Sequence, residues 1–216
     1  SGIASFVTAY EAHYDLCLDI NHKVEASLLG SGSAPRSLIG GFVLMDHKDN
    51  YRCSQILKEP EWPLDVLICI ASKEPKEISS REGMEISKKT SPIYQDWLDV
   101  NEKHINLALN AIKDKDMSVL ENVTEENCKL MHKVMKTSKP SISYMTDVTH
   151  SCIAEIENLR SLGHSLFYTI DAGPQVKIIC DPKSTEIIRD TIIDKTTVMD
   201  VIHAGLGGPP RIIDED

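Results

Sequence analysis

Apolar side chains at Val7, Ala9, Ala12, Leu16, Ile20, Val24 and Leu28 recur at roughly helical spacing, which predicts one helix over residues 5–29, ended by a Gly/Ser segment. Beyond Ser37 the pattern shifts to short continuous apolar runs, LIGGFVLM (38–45) and LDVLICIA (64–71), read as strands separated by the polar loop DHKDNYRCSQILKEPEWP. Over residues 80–163, heptad-like stretches such as IYQDWLDVNEKHINLALNAI and MTDVTHSCIAEIENLRSLG predict three or four amphipathic helices. Pro92 and Pro140 stand where helices are expected to start, and Gly163 where one stops. The strand pattern returns in SLFYTI (165–170) and VKIIC (176–180), followed by a helix over 183–193 and a last strand near VMDVIHA. Strands, then helices, then strands and a helix again predict an α+β architecture in two packed halves.

Composition narrows what such a fold can bind. A hydrophobic content of 41% over 216 residues is enough for a core, in one large domain or two small ones. The 23 basic and 33 acidic residues leave a formal charge of −10, which argues against nucleic acid or an anionic membrane as a partner, since both need a basic face. An anionic ligand must therefore be held by local groups. No apolar run reaches the roughly 18 residues of a membrane span, so the chain reads as soluble. The six cysteines are scattered, with no CxxC pair and no zinc spacing, and read as reduced thiols of a cytoplasmic protein.

Four stretches carry candidate chemistry. In GSGSAPRS (30–37), glycines permit close backbone approach, Ser33 can cap a short turn with Pro35 in its first positions, and Arg36 offers a fork for carboxylate or phosphate. The same composition fits a surface linker. In EISSREGM (77–84), Ser79 and Ser80 sit at a helix start; Arg81 there opposes the helix dipole unless an anion lies between them, while a simple capped helix explains the rest. In YTIDAGPQVKI (168–178), Asp171 ends a strand before a tight turn, as a turn cap or as a rigidly held base. SGIAS (1–5) is like the second half of a phosphate-cradling loop that opens a helix. Of the histidines, His13, His22, His104, His132 and His150 fall on expected helices, in surface or core-edge roles.

Taken in order, SGIAS, GSGSAPRSLIGGFV, ISSREGMEISKKTSPIYQDWL, SISYMTDV and YTIDAGPQVKI resemble the diphosphomevalonate decarboxylases of the GHMP kinase superfamily, over essentially the whole chain. GSGSAPRS, and DAGP together with SSREGM, are the specific motifs; SGIAS fits any kinase of the superfamily. The resemblance implies a GHMP-kinase-like two-lobed fold. Residues 1–78 would be the remainder of a lobe like ribosomal protein S5 domain 2, residues 79–196 a ferredoxin-like lobe, and residues 197–216 a terminal strand segment.

The same resemblance implies an enzyme that uses ATP and Mg²⁺ to phosphorylate the tertiary 3-hydroxyl of mevalonate 5-diphosphate. Loss of phosphate and CO₂ then gives isopentenyl diphosphate. It further implies a cytoplasmic homodimer with no nucleic-acid or membrane partner. Asp171 would face the 3-hydroxyl as base or orienting group, and Arg36 would align the substrate carboxylate. Ser31 and Ser33 would line the same pocket, Ser80 and Arg81 would contact the diphosphate, and Gly2 and Ser5 would belong to the loop around the ATP phosphates. No residue is assigned to the metal. The family loop usually has a second serine where Phe6 follows Ser5, and the family's N-terminal portion is not seen, so residues 1–216 are expected to be inactive alone. The readings kept beside this one are a related kinase or decarboxylase acting on mevalonate or its monophosphate, and a non-catalytic binding module, suggested by Phe6.

Overall fold

The computed structural model describes residues 2–46 and 51–213. Its first elements are α1 (Gly2–His13), α2 (Ile20–Gly30), a 3₁₀ turn (Ala34–Leu38) and the antiparallel hairpin of β1 (Phe42–Asp46) and β2 (Arg52–Leu57). The single helix expected over 5–29 is therefore two. Asp19 accounts for the break: its carboxylate accepts the Asn21 and His22 amides, each at 2.9 Å, and so caps α2. Ala4, Val24 and Leu38 bury together at the centre of this group.

The apolar run 38–45 is not one strand either. It begins in the 3₁₀ turn, and Gly40 (φ 77°) and Gly41 (φ 65°) then swing the chain into β1. A Cβ at Gly40 would strike the Gly208–Pro209 backbone, and one at Gly41 the Leu57 carbonyl, so neither position accepts a side chain. The expected polar loop 46–63 contains β2, whose exposed Arg52, Ser54 and Gln55 hide the strand from a hydrophobicity pattern. Residues 47–50 of that loop lie outside the described residues.

The remaining elements are β3 (Asp65–Ile70), α3 (Ser80–Thr90), α4 (Tyr94–Asp114), α5 (Met117–Lys136), α6 (Asp147–Ser161), β4 (Leu166–Thr169), β5 (Val176–Cys180), α7 (Thr185–Lys195) and β6 (Asp200–Gly205). Among the described residues the strands form an antiparallel sheet in the order β4-β5-β3-β6. Two compact units result, Leu64–Gly205 and the rest of the chain on both sides of it. The division falls after residues 63 and 205, because β3 and β6 are hydrogen-bonded into the sheet of the helical half. Pro140 does not open a helix. It follows α5, whereas α6 starts at Asp147, capped by Thr146, whose hydroxyl accepts the Thr149 amide at 3.3 Å.

The core of the second unit follows from strand alternation. Leu67 and Cys69 of β3 and Val176, Ile178 and Cys180 of β5 point to one face, where Ile156 and Leu159 of α6 and Ile188 and Ile192 of α7 cover them. Each such side chain contributes about 1.5–3 kcal/mol on burial.

β4 ends the sheet, so half of its backbone groups face away from β5. Helix side chains meet them. Arg160 Nε donates to the Leu166 carbonyl at 3.3 Å, and Glu125 accepts the Tyr168 amide at 3.3 Å. Cys128 Sγ accepts the Ile170 amide at 3.3 Å, and His132 Nε2 lies 3.1 Å from the Ile170 carbonyl. Glu125 is only 5% exposed. Its charge is answered by the Arg160 guanidinium, which also pairs with Glu121 at 2.9 Å, and more distantly by Lys129. Removing one partner from such a buried pair leaves a charge in low dielectric. Arg160→Leu is expected to destabilise the protein by about 3 kcal/mol in urea unfolding followed by circular dichroism; a loss below about 1 kcal/mol would mean that the pair behaves as a surface ion pair.

Candidate functional site

In the second unit the site is built around the turn that leaves β4. Asp171 follows the strand directly, and its carbonyl accepts the Gly173 amide at 2.7 Å. The carboxylate is 75% exposed and held by one partner, Lys177 Nζ, at 2.6 Å. The backbone around it is fixed from several directions. The Ala172 carbonyl accepts from Lys76 Nζ and from Ser80 Oγ, the latter at 3.3 Å. The Pro174 carbonyl accepts from the Thr149 hydroxyl of α6 at 2.8 Å. Gln175 bridges to the end of β3, accepting the Ala71 amide and donating to the Ser72 carbonyl, both at 2.6 Å. The turn is thus rigid while its acid faces water.

Ser80 reaches this turn because α3 starts beside it. Ser79 Oγ accepts the Glu82 amide at 3.2 Å, the cap expected for this stretch. The buried Tyr144 hydroxyl donates to the Ile78 and Ser79 carbonyls, both at 3.2 Å, and Gly83 leaves room for its ring. Lys76 links the pieces: its ammonium lies 3.3 Å from Ser80 Oγ and 5.9 Å from the centre of the Tyr144 ring. Arg81 stands exposed in the first turn of α3 with no ion pair among the described residues. Lys76 and Arg81 with the α3 N-terminus offer donors for an anion beside the Asp171 carboxylate, among the acids Glu74, Glu77 and Glu82. A cavity of about 380 Å³ opens beside it, between the segments carrying Ser72 and Lys76 and those carrying Ser141, Ser143 and Thr146.

In the first unit, two of the candidate stretches come together. Ile3 packs against the backbone of Gly30, so the start of α1 lies beside the end of α2, where the Ser31 and Ser33 hydroxyls sit 3.2 Å apart. Ser33 precedes the 3₁₀ turn but makes no side-chain cap; its own amide points to Ser31 Oγ at 3.4 Å. The cap expected of Ser33 is therefore not formed, because the two serines engage each other. Arg36 lies in that turn, exposed and without an ion pair among the described residues. Gly2 and Ser5 lie in the first turns of α1, which has no acidic residue in its first turn. Phe6 is 66% exposed, on the face of α1 opposite Ala4 and Val7, and leans on Tyr10 at 6.1 Å.

The sequence reading missed Lys76, Lys177 and His132. Lys76 is the one with a local signal, a cation four residues before Ser80. Burial pushes the His132 imidazole below its ordinary range, and a neutral ring beside a carbonyl acts as the donor. Among the described residues no helix is long and apolar enough to cross a membrane, and no three His, Cys, Asp or Glu side chains gather as a metal site.

Comparison with known proteins bears on the family and the fold. The family model described as "Mevalonate 5-diphosphate decarboxylase C-terminal domain" matches residues 66–213. Diphosphomevalonate decarboxylase ERG19 of Gibberella zeae is 32% identical over 198 residues, 87% of this chain and 52% of the relative. The crystal structure of mevalonate diphosphate decarboxylase from Staphylococcus aureus superposes with a TM-score of 0.90 at 28% identity, over 99% of this chain and 66% of that one. A structure of MDDEF in complex with MVAPP, AMPPCP and magnesium superposes with a TM-score of 0.87 at 29% identity, over 97% and 65%. The α+β, GHMP-kinase-like fold inferred from the motifs is the fold observed. The chain spans about half the length of the curated relatives it matches.

Gly83 offers a direct check on how α3 is seated. A Cβ there would stand 2.5 Å from the Tyr144 hydroxyl, which is tied to the Ile78 and Ser79 carbonyls. Gly83→Ala is expected to cost about 1–3 kcal/mol in chemical unfolding, despite alanine's better helix propensity; a more stable variant would show that Tyr144 yields freely.

Proposed function

Because this chain belongs to the mevalonate 5-diphosphate decarboxylase C-terminal domain family, we propose that the full-length protein carries out ATP-dependent decarboxylation of mevalonate 5-diphosphate to isopentenyl diphosphate. The observation that carries the reading is the turn at Asp171: an exposed carboxylate on a backbone immobilised by Ser80, Lys76, Thr149 and Gln175.

The proposed roles follow from chemistry. A tertiary alcohol is a poor nucleophile, and Asp171 takes or orients the 3-hydroxyl proton while the oxygen attacks phosphorus. Lys177 sets the direction of that carboxylate. The phosphorylated 3-oxygen then leaves with the C–O electron pair, the carboxylate C–C bond supplies the electrons of the new double bond, and CO₂ departs. Arg36 is proposed to hold that carboxylate through its planar fork, with Ser31 and Ser33 lining the same pocket. Ser80, Arg81 and Lys76 are proposed to meet the diphosphate. Binding energy spent on this remote group fixes the alignment at the reacting carbon.

ATP would supply the transferred phosphoryl group, and Mg²⁺ would neutralise phosphate charge. The first turn of α1 carries no acidic side chain to repel a phosphate. Gly2 and Ser5 are the residues proposed to hold it. The six free thiols support a cytoplasmic setting, and the homodimer remains the proposed assembly.

In the full-length protein, Asp171→Asn is expected to lower kcat for CO₂ release by about 10² to 10⁴-fold with little change in KM. A near-normal rate would overturn the role of Asp171. Turnover of mevalonate 5-phosphate but not the 5-diphosphate would overturn the substrate.

A further inference from the structure

β4 ends at Thr169, and Ile170 alone stands between it and Asp171. Ladder pairing with β5 stops at Thr169 opposite Lys177, so the Ile170 peptide groups are outside the sheet. Both are taken up by α5. The Cys128 sulfur accepts the Ile170 amide, and one turn further along the helix His132 Nε2 meets the Ile170 carbonyl. We propose that His132 is a positioning residue for the proposed reaction, fixing the peptide that joins Ile170 to Asp171 and thereby the place of the Asp171 carboxylate.

Three observations support this assignment. The carboxylate itself is mostly exposed and, among the described residues, bonded through Lys177, so its position depends on the main chain that bears it. A carbonyl can only accept, which requires the proton on Nε2, and the burial that disfavours the charged ring leaves one such proton to give. The Ile170 side chain is 1% exposed in the core, and of the two donors that meet its buried carbonyl, His132 Nε2 at 3.1 Å is the stronger, the Cys128 thiol at 3.5 Å being a weak donor. The role rests on the reading of Asp171 as the reacting acid, but the clamp itself does not.

The test uses the full-length protein and two substitutions. His132→Leu removes the donor, whereas His132→Gln keeps an N–H at similar reach. Hydrogen exchange in peptides covering residues 168–175 is expected to speed up about tenfold or more in the Leu variant and to return towards wild type in the Gln variant. In the same pair, kcat is expected to fall about 100-fold and to recover substantially with Gln, while KM stays within about threefold. Unchanged exchange in the Leu variant overturns the clamp. Faster exchange with unchanged kcat, in a protein that Asp171→Asn inactivates, overturns the positioning role. If Asp171→Asn is itself active, the catalytic reading has failed, and the positioning role fails with it, while exchange still decides on the clamp. Should His132→Leu not fold, His132→Asn, whose amide is too short to reach, takes its place.

Discussion

An edge strand in the middle of a protein has a problem that hydrophobic burial cannot solve: every second peptide group points away from the sheet and must find a partner. In this chain β4 carries that burden, and α5 and α6 answer it with side chains rather than with another strand. Glu125 and Cys128 lie along one stripe of α5, at the spacing that places them on one face; Glu125 takes the outward Tyr168 amide of β4 and Cys128 the amide of Ile170 just beyond it. Arg160 of α6 closes the near end at Leu166 and neutralises Glu125. A strand of four residues, held by so few ladder bonds, would otherwise be the least secure element of the sheet.

The residues beyond β4 inherit this order. In the turn at Asp171, Ala172 packs against the Met135–Ile142–Tyr144 cluster, the Ala172 and Pro174 carbonyls accept from Lys76, from Ser80 of α3 and from Thr149 of α6, and the Gln175 side chain bonds the chain just beyond β3. Each such bond is worth only about 0.5–1.5 kcal/mol. Their combined effect is to make the turn open as one unit, because no single bond frees it. Stiffness here comes from bonds to backbone carbonyls, which leaves the acid's side chain free to meet solvent or a ligand.

How much of this was legible in the sequence depended on how local the cause was. β3, β4, β5, α7 and β6 were read with small errors at their ends, since alternation and flanking turn residues are neighbours in the chain. The break between α1 and α2 was missed because a single Asp19 cap outweighs a helical apolar period that runs through it. β2 was missed because its residues are mostly polar and its strand character comes from pairing with β1. In the site, Asp171 and Ser80 stood out because turn and cap chemistry mark them locally. His132 and Cys128 did not, since the peptide they hold lies 38 and 42 positions away, and a histidine on a helix has many ordinary explanations.

Charge shows the same contrast between global and local. A formal charge of −10 would by itself repel a polyphosphate. Screening limits that repulsion to a range of about 8–10 Å at ordinary ionic strength, so the potential at a site is decided by its own neighbours. Around the Asp171 turn those neighbours are Lys76, Lys177 and Arg81 together with Glu74, Glu77 and Glu82, while other acids are internally paired, as Glu121 and Glu125 are with Arg160. Arg36 follows the same logic in the first unit, exposed on a short turn with no carboxylate ion pair among the described residues. GSGSAPRS therefore differs from a linker in a physical sense: Gly30 packs against Ile3 of α1, the Ser31 and Ser33 hydroxyls engage each other, Ala34 and Pro35 are buried, and its one cation is left facing outward.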